Sequence, residues 1–102
     1  MRLLVVGAGI AGLSAVDALA AGGHQVTIIE RSASLQSAGA GIILAPNAVH
    51  CLEALGVDVT PHGWELDRLV VRTPDGLTIA HGTPTPEFGP PYAIARPQLQ
   101  AL

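Results

Sequence analysis

The stretch Gly7-Ala8-Gly9-Ile10-Ala11-Gly12 constrains the fold of this chain more than any other. An apolar run, Leu3 to Val6, leads straight into it and reads as a strand. A small-residue helix, roughly Ala11 to Ala21, leaves it, and a second apolar strand, Gln25 to Ile29, ends on Glu30. Each glycine has a physical role in that order. Gly7 permits a tight turn off the strand, Gly9 lets the backbone approach a pyrophosphate closely, and Gly12 lets the helix pack against the strands. The helix start offers unpaired N–H groups and the positive end of the helix dipole to phosphates. Glu30, about 20 positions after the glycines, stands where a ribose diol is held. A 2′-phosphate would meet a like charge there, so the spacing predicts a βαβ unit for a dinucleotide other than NADP.

The same stretch has two competing readings. Arg2, an apolar run and Ala18-Leu19-Ala20 resemble a signal peptide with its cleavage site, and Leu3 to Ala21 is nearly uncharged, as a membrane span would be. Three glycines at fingerprint spacing, Asp17 inside the run and a following strand that ends in Glu argue against both.

The rest of the first unit follows from periodicity. Leu13, Val16, Leu19 and Ala20 form an apolar stripe on the helix, and Gly22-Gly23 ends it. Arg31 to Gly41 is a loop rich in Ser, Ala and Gly, at the carboxyl end of a strand where ligands bind in open α/β sheets. Gly39-Ala40-Gly41 lets backbone come near a bulky group, although a plain surface connection explains it as well. Ile42-Ile43-Leu44 is a short apolar run. Pro46 then opens a helix running to Gly56, with Ala48, Leu52 and Leu55 on one face and Cys51 expected as a small core residue beside them. From Thr60 the pattern becomes that of strands. Arg68 to Arg72, the turn Pro74-Asp75-Gly76 and Leu77 to Ala80 make a β-hairpin, and Glu65 and Asp67 read as solvated charge. Gly82 to Pro91 carries Pro84, Pro86, Pro90 and Pro91 and reads as an irregular linker. Tyr92 to Ala95 is apolar, and Arg96 begins a helix with Pro97 in its first turn. The organisation expected is residues 1–59 as the βαβ unit, loop and helix, 60–95 as hairpin and linker, and 96–102 as the start of a helix in an interrupted chain.

Charge and composition exclude other classes. The net charge of −3, from five Arg and no Lys against eight acidic residues, offers no basic patch for nucleic acid. A single cysteine excludes an internal disulfide framework and fits a reducing cytoplasm. His24, His50, His62 and His81 are scattered without metal-ligand spacing, and His50 has no acidic partner that would make a Cys/His pair with Cys51.

Three runs together resemble a known family: GAGIAGLSAVDALAAGGHQVTIIER from Gly7, GAGIILAPNAVHCLEALGV from Gly39, and PPYAIARPQLQAL from Pro90. They are similar to the N-terminal part of class A flavoprotein monooxygenases, the salicylate-hydroxylase-like and 3-hydroxybenzoate-hydroxylase-like aromatic hydroxylases. The resemblance runs nearly end to end, and the glycine loop followed by Pro46-Asn47-Ala48 is its most particular part. It implies an α/β, Rossmann-like FAD-binding βαβ unit with an added β-hairpin, incomplete relative to the family. By residue, it implies that Gly7, Gly9, Ala11 and Gly12 cradle the pyrophosphate, that Glu30 holds the adenosine ribose, and that Arg31 lies by the adenosine. Ala40 and Gly41 would sit on the ribityl and flavin side, and Arg96 would reach the FAD from its helix. It further implies NADH or NADPH as reductant, O2 as oxygen source, and a small aromatic or similarly electron-rich substrate, with no nucleic-acid or membrane partner.

Family members are several times longer. The central Asp-Gly segment tied to NAD(P)H use and the later Gly-Asp segment that closes on FAD are missing; Asp75-Gly76 comes too early to be either. Three other readings therefore stand beside the hydroxylase: another FAD enzyme such as a halogenase or reductase, a non-catalytic remnant with weak or no FAD binding, and an NAD-dependent dehydrogenase. The Pro46-Asn47-Ala48 loop and Arg96 weigh against the dehydrogenase.

Overall fold

The computed structural model describes residues 1–34, 39–84 and 87–102, so part of the expected Arg31–Gly41 loop and Pro86 of the expected linker lie outside the described residues. The first unit is β1 (Arg2–Val6), α1 (Ile10–Ala21) and β2 (Gln25–Ile29), within a residue or so of the expectation. β1 and β2 pair in parallel with Arg2 opposite Gln25 and Val6 opposite Ile29. The sequence demands this geometry, because a 12-residue helix lies between the two strands and only a crossover connection suits parallel pairing.

The glycines that end α1 work as expected. The His24 N–H donates to the Leu19 carbonyl at 3.1 Å and the Gly23 N–H to the Ala20 carbonyl at 2.9 Å, the paired closure of a Schellman motif. Leu13, Val16 and Leu19 are half-buried, but Ala20 is exposed and no residue of α1 is fully buried. Two strands spaced about 4.8 Å apart present a surface no wider than one helix, so α1 has cover on one side only.

The core lies elsewhere. β3 (Gly41–Leu44) pairs antiparallel with β7 (Tyr92–Ala95), which also pairs with β4 (Trp64–Glu65) on its other edge. Leu44, Val49, Val59, Tyr92, Ile94 and Leu99 pack together there, joined by Ile10 from the start of α1. Ile94 in the central strand is 2% exposed and Val59 is fully buried. Asp58 helps to hold Val59 in place, since its Oδ1 accepts from both the Thr60 N–H at 2.9 Å and the Thr60 hydroxyl at 2.7 Å.

α2 (Pro46–Ala54) is closed by the same motif as α1, with the Val57 N–H donating to Leu52 and Gly56 adopting φ +83°. Its packed face differs from the expectation. Val49 is the buried residue, Ala48, Leu52 and Leu55 flank it half-buried, and Cys51 is exposed. At about 100° per residue, Cys51 lies about 200° from Val49 and so points away from the core. The reading of Cys51 as a core residue is corrected on that ground.

β5 (Leu69–Arg72) and β6 (Thr78–Gly82) form the expected antiparallel hairpin. The Gly76 N–H donates to the Thr73 carbonyl and the Thr73 N–H to the Leu77 carbonyl across the turn. All residues of both strands are exposed, so the hairpin adds nothing to the core. Glu65, expected as solvated charge, is indeed exposed but also accepts a long 3.5 Å hydrogen bond from the Tyr92 hydroxyl. Burial, and then the Glu65 carboxylate, push the Tyr92 phenol above its usual range. No helix among the described residues is long and apolar enough to cross a membrane.

Candidate functional site

The glycine turn sits at the carboxyl ends of the parallel pair. Gly7 adopts φ +99°, a conformation side chains rarely take, and its N–H donates to the Ile29 carbonyl at 2.7 Å. That bond sets the turn beside the last residue of β2 and brings Glu30 within reach of it. Glu30 then grips the turn directly. Its Oε2 accepts the Ala8 N–H at 2.7 Å, and its Oε1 accepts the Ser32 N–H at 2.8 Å. These bonds, Ser32 first and Ala8 second, hold the Glu30 carboxyl below its usual value of 4.5.

Gly9 and Gly12 differ in what surrounds them. A Cβ on Gly12 would run into the carbonyl carbon and oxygen of Gly7, so α1 rests on the turn with no room for a side chain. A Cβ on Gly9 would meet nothing within 4 Å. Gly9 is the N-cap of α1, no side chain among the described residues caps the helix, and its first turn contains no acidic residue. Free helix N–H groups facing open space suit an anion, and Gly9 leaves that space clear. Between the two strand ends, Val6, Gly7, Ile29, Glu30 and Arg31 line a pocket of about 430 Å³. The residues present therefore fit a dinucleotide, with a phosphate position at the helix start and a polar acceptor one strand away.

The second group of expected site residues gathers at a different strand end. The β3–β7 register sets Gly41 opposite Ala95, so Ala40, just before β3, and Arg96, just after β7, lie at the same end of that ladder. Ala40, Gly41 and Arg96 are all exposed. They are not part of the pocket at Glu30. The two groups are joined through α3 (Arg96–Ala101), where the Gln100 side-chain amide donates to the Ala8 carbonyl at 2.7 Å. Gln100 was not legible as a site residue. Its one signal is its position four residues after Arg96, which puts both on one helix face.

A parallel βαβ unit with this glycine turn, an uncapped helix start and an acidic residue closing on the turn defines a dinucleotide-binding protein. The FAD binding domain family model matches residues 1–73. Among sequence relatives, 3-hydroxybenzoate 6-hydroxylase 1 of Aquipseudomonas alcaligenes is 40% identical over 102 residues, covering 91% of this chain and 25% of that protein. The 3-hydroxybenzoate 6-hydroxylase of Polaromonas naphthalenivorans is 36% identical over 101 residues, covering 92% of this chain and 25% of the relative. Among solved structures, HpxO of Klebsiella pneumoniae, complexed with FAD and uric acid, superposes with a TM-score of 0.81 at 30% identity, over 99% of this chain and 27% of that one. The chain belongs to the FAD-binding domain family, within the class A flavoprotein monooxygenases, and FAD is the cofactor of its fold. It spans about a quarter of the length of the curated relatives it matches.

Proposed function

We propose that this chain is the FAD-cradling part of a monooxygenase that uses NADH or NADPH and O2 to hydroxylate a small aromatic or similarly electron-rich molecule. The observation that carries the reading is the contrast between Gly9, which leaves open space at an uncapped helix start, and Gly12, where the turn has no space at all. Gly7, Gly9, Ala11 and Gly12 shape the pyrophosphate position. Glu30 accepts from the adenosine ribose: each of its oxygens accepts one backbone N–H and retains a further lone pair for a hydroxyl. Arg31, which lines the pocket beside Glu30, lies against the adenosine. Ala40 and Gly41 border the ribityl and flavin side, with Arg96 at the same strand end to meet a phosphate or ribityl oxygen.

When bound, FAD supplies the redox chemistry of oxygen transfer; the residues here hold it and orient it. The names of the relatives support an aromatic acid as substrate, since two of them hydroxylate 3-hydroxybenzoate. A single exposed thiol, Cys51, fits a cytoplasmic setting. The test uses a polypeptide of the relatives' length that carries these residues, supplied with NADH or NADPH and a panel of hydroxylated benzoates under labelled O2. The reading predicts substrate-stimulated NAD(P)H oxidation with one labelled oxygen in the product. Reductant oxidation that never labels an aromatic product contradicts it.

A further inference from the structure

Ala8 is buried, and both of its peptide groups are held by side chains from distant parts of the chain. Its N–H, in the Gly7–Ala8 peptide, donates to Glu30 at the end of β2. Its carbonyl, in the Ala8–Gly9 peptide, accepts from Gln100 of α3 at 2.7 Å, across 92 residues of sequence. A trans peptide is planar, with its C=O and N–H pointing opposite ways. A donor that fixes the Ala8 carbonyl therefore also fixes the direction of the Gly9 N–H. No acceptor among the described residues takes that Gly9 N–H, and a Cβ on Gly9 would meet open space.

We propose that Gln100 is a positioning residue of the cofactor cradle: its amide grips the Ala8 carbonyl and so aims the Gly9 N–H at the pyrophosphate of the dinucleotide. The proposal rests on the FAD reading for the identity of the ligand, but the aiming is a property of the ligand-free turn. Gln100 touches no phosphate itself and acts through Ala8. Leu99, its neighbour, is buried in the core, so α3 is anchored and the amide is presented from a fixed helix. The contact thus adds a hydrogen bond between α3 and the glycine turn to the packing of Ile10 against the core.

The test compares Gln100→Leu, which keeps the volume and loses the donor, Gln100→Glu, which presents a carboxylate to the carbonyl, and Gln100→His, which keeps a donor of similar reach. Two readouts are taken on this chain: amide hydrogen exchange at Gly9 without ligand, and FAD affinity from flavin fluorescence. The expected result is faster Gly9 exchange and about tenfold weaker FAD binding in the Leu and Glu variants, a loss of the size expected for one misaligned hydrogen bond to a charged group, with the His variant close to wild type. A role in packing alone predicts that the space-filling Leu variant behaves as wild type in both readouts, and that result overturns the proposal. If the wild-type chain shows no FAD binding, the claim that these residues hold FAD by themselves fails while the exchange comparison still decides the role of Gln100: unchanged Gly9 exchange in the Leu variant overturns it.

Discussion

The Ala8 amide and the Glu30 carboxylate, 22 residues apart in sequence, meet in a 2.7 Å hydrogen bond. The end of β2 is thereby fastened to the turn after β1, over and above the ladder between the two strands. Glu30, the residue we propose for the adenosine ribose, thus also organises the glycine turn, so one side chain would serve both the proposed cofactor contact and the local structure.

That sharing makes Glu30 sensitive to pH. Its carboxyl is held below the usual 4.5 in the folded chain by the Ser32 and Ala8 N–H groups. A group whose pKa is lower folded than unfolded stabilises the fold above its unfolded value, and that stabilisation is lost as pH falls through the folded value. Melting temperature measured from pH 7 downward should therefore fall below about pH 4.5, partly through Glu30. Glu30→Gln should be less stable than wild type at pH 7, and the gap should close in acid. A gap that stays constant with pH contradicts the role of the charge.

Gly9 and Gly12 should respond in opposite ways to the same substitution. Gly12→Ala forces a Cβ against the Gly7 backbone and should destabilise the chain by about 1–3 kcal/mol, the range for overpacking. Gly9→Ala meets nothing in the ligand-free chain and should melt as wild type does, yet bind FAD at least about tenfold more weakly, the effect of ~1.4 kcal/mol. Denaturant unfolding and flavin titration separate the two. Equal loss of stability in both variants would rule out the distinction.

Cys51 should react as a surface thiol. It lies on the outer face of α2, so a thiol reagent should label the native chain with one equivalent and leave its circular dichroism unchanged. Labelling that requires denaturant would return Cys51 to the core.

Ile94 should be the most costly residue to truncate. It is 2% exposed in the strand that pairs with both β3 and β4. Ile94→Ala should cost about 2–5 kcal/mol, as large-to-small core changes do. The cost should appear in urea unfolding, while the all-exposed hairpin tolerates Ile79→Thr with little change.

The first thirty residues were legible because local rules suffice there: two apolar strands, a helix between them and glycines whose spacing has a single geometric purpose. The hairpin from Leu69 to Gly82 was legible for the same reason, its turn residues lying next to its strands. The β3–β7–β4 sheet was not. Its partners lie about fifty residues apart in β3 and β7, as Ile42 and Ile94 do, and nearly thirty in β4 and β7, and no local pattern states which edge meets which. α2 turns Cys51 outward because Val49 defines its packed face, and the apolar character of a thiol does not state which face that is. Gln100 carried no motif, and its role follows from the distance to Ala8 alone.

The most direct test of the account is a titration of this purified chain with FAD, followed by flavin fluorescence. The account predicts saturable quenching at one FAD per chain, reduced in Gly9→Ala and in Glu30→Gln. Fluorescence that remains that of free FAD at every protein concentration, with the chain folded by circular dichroism, contradicts it.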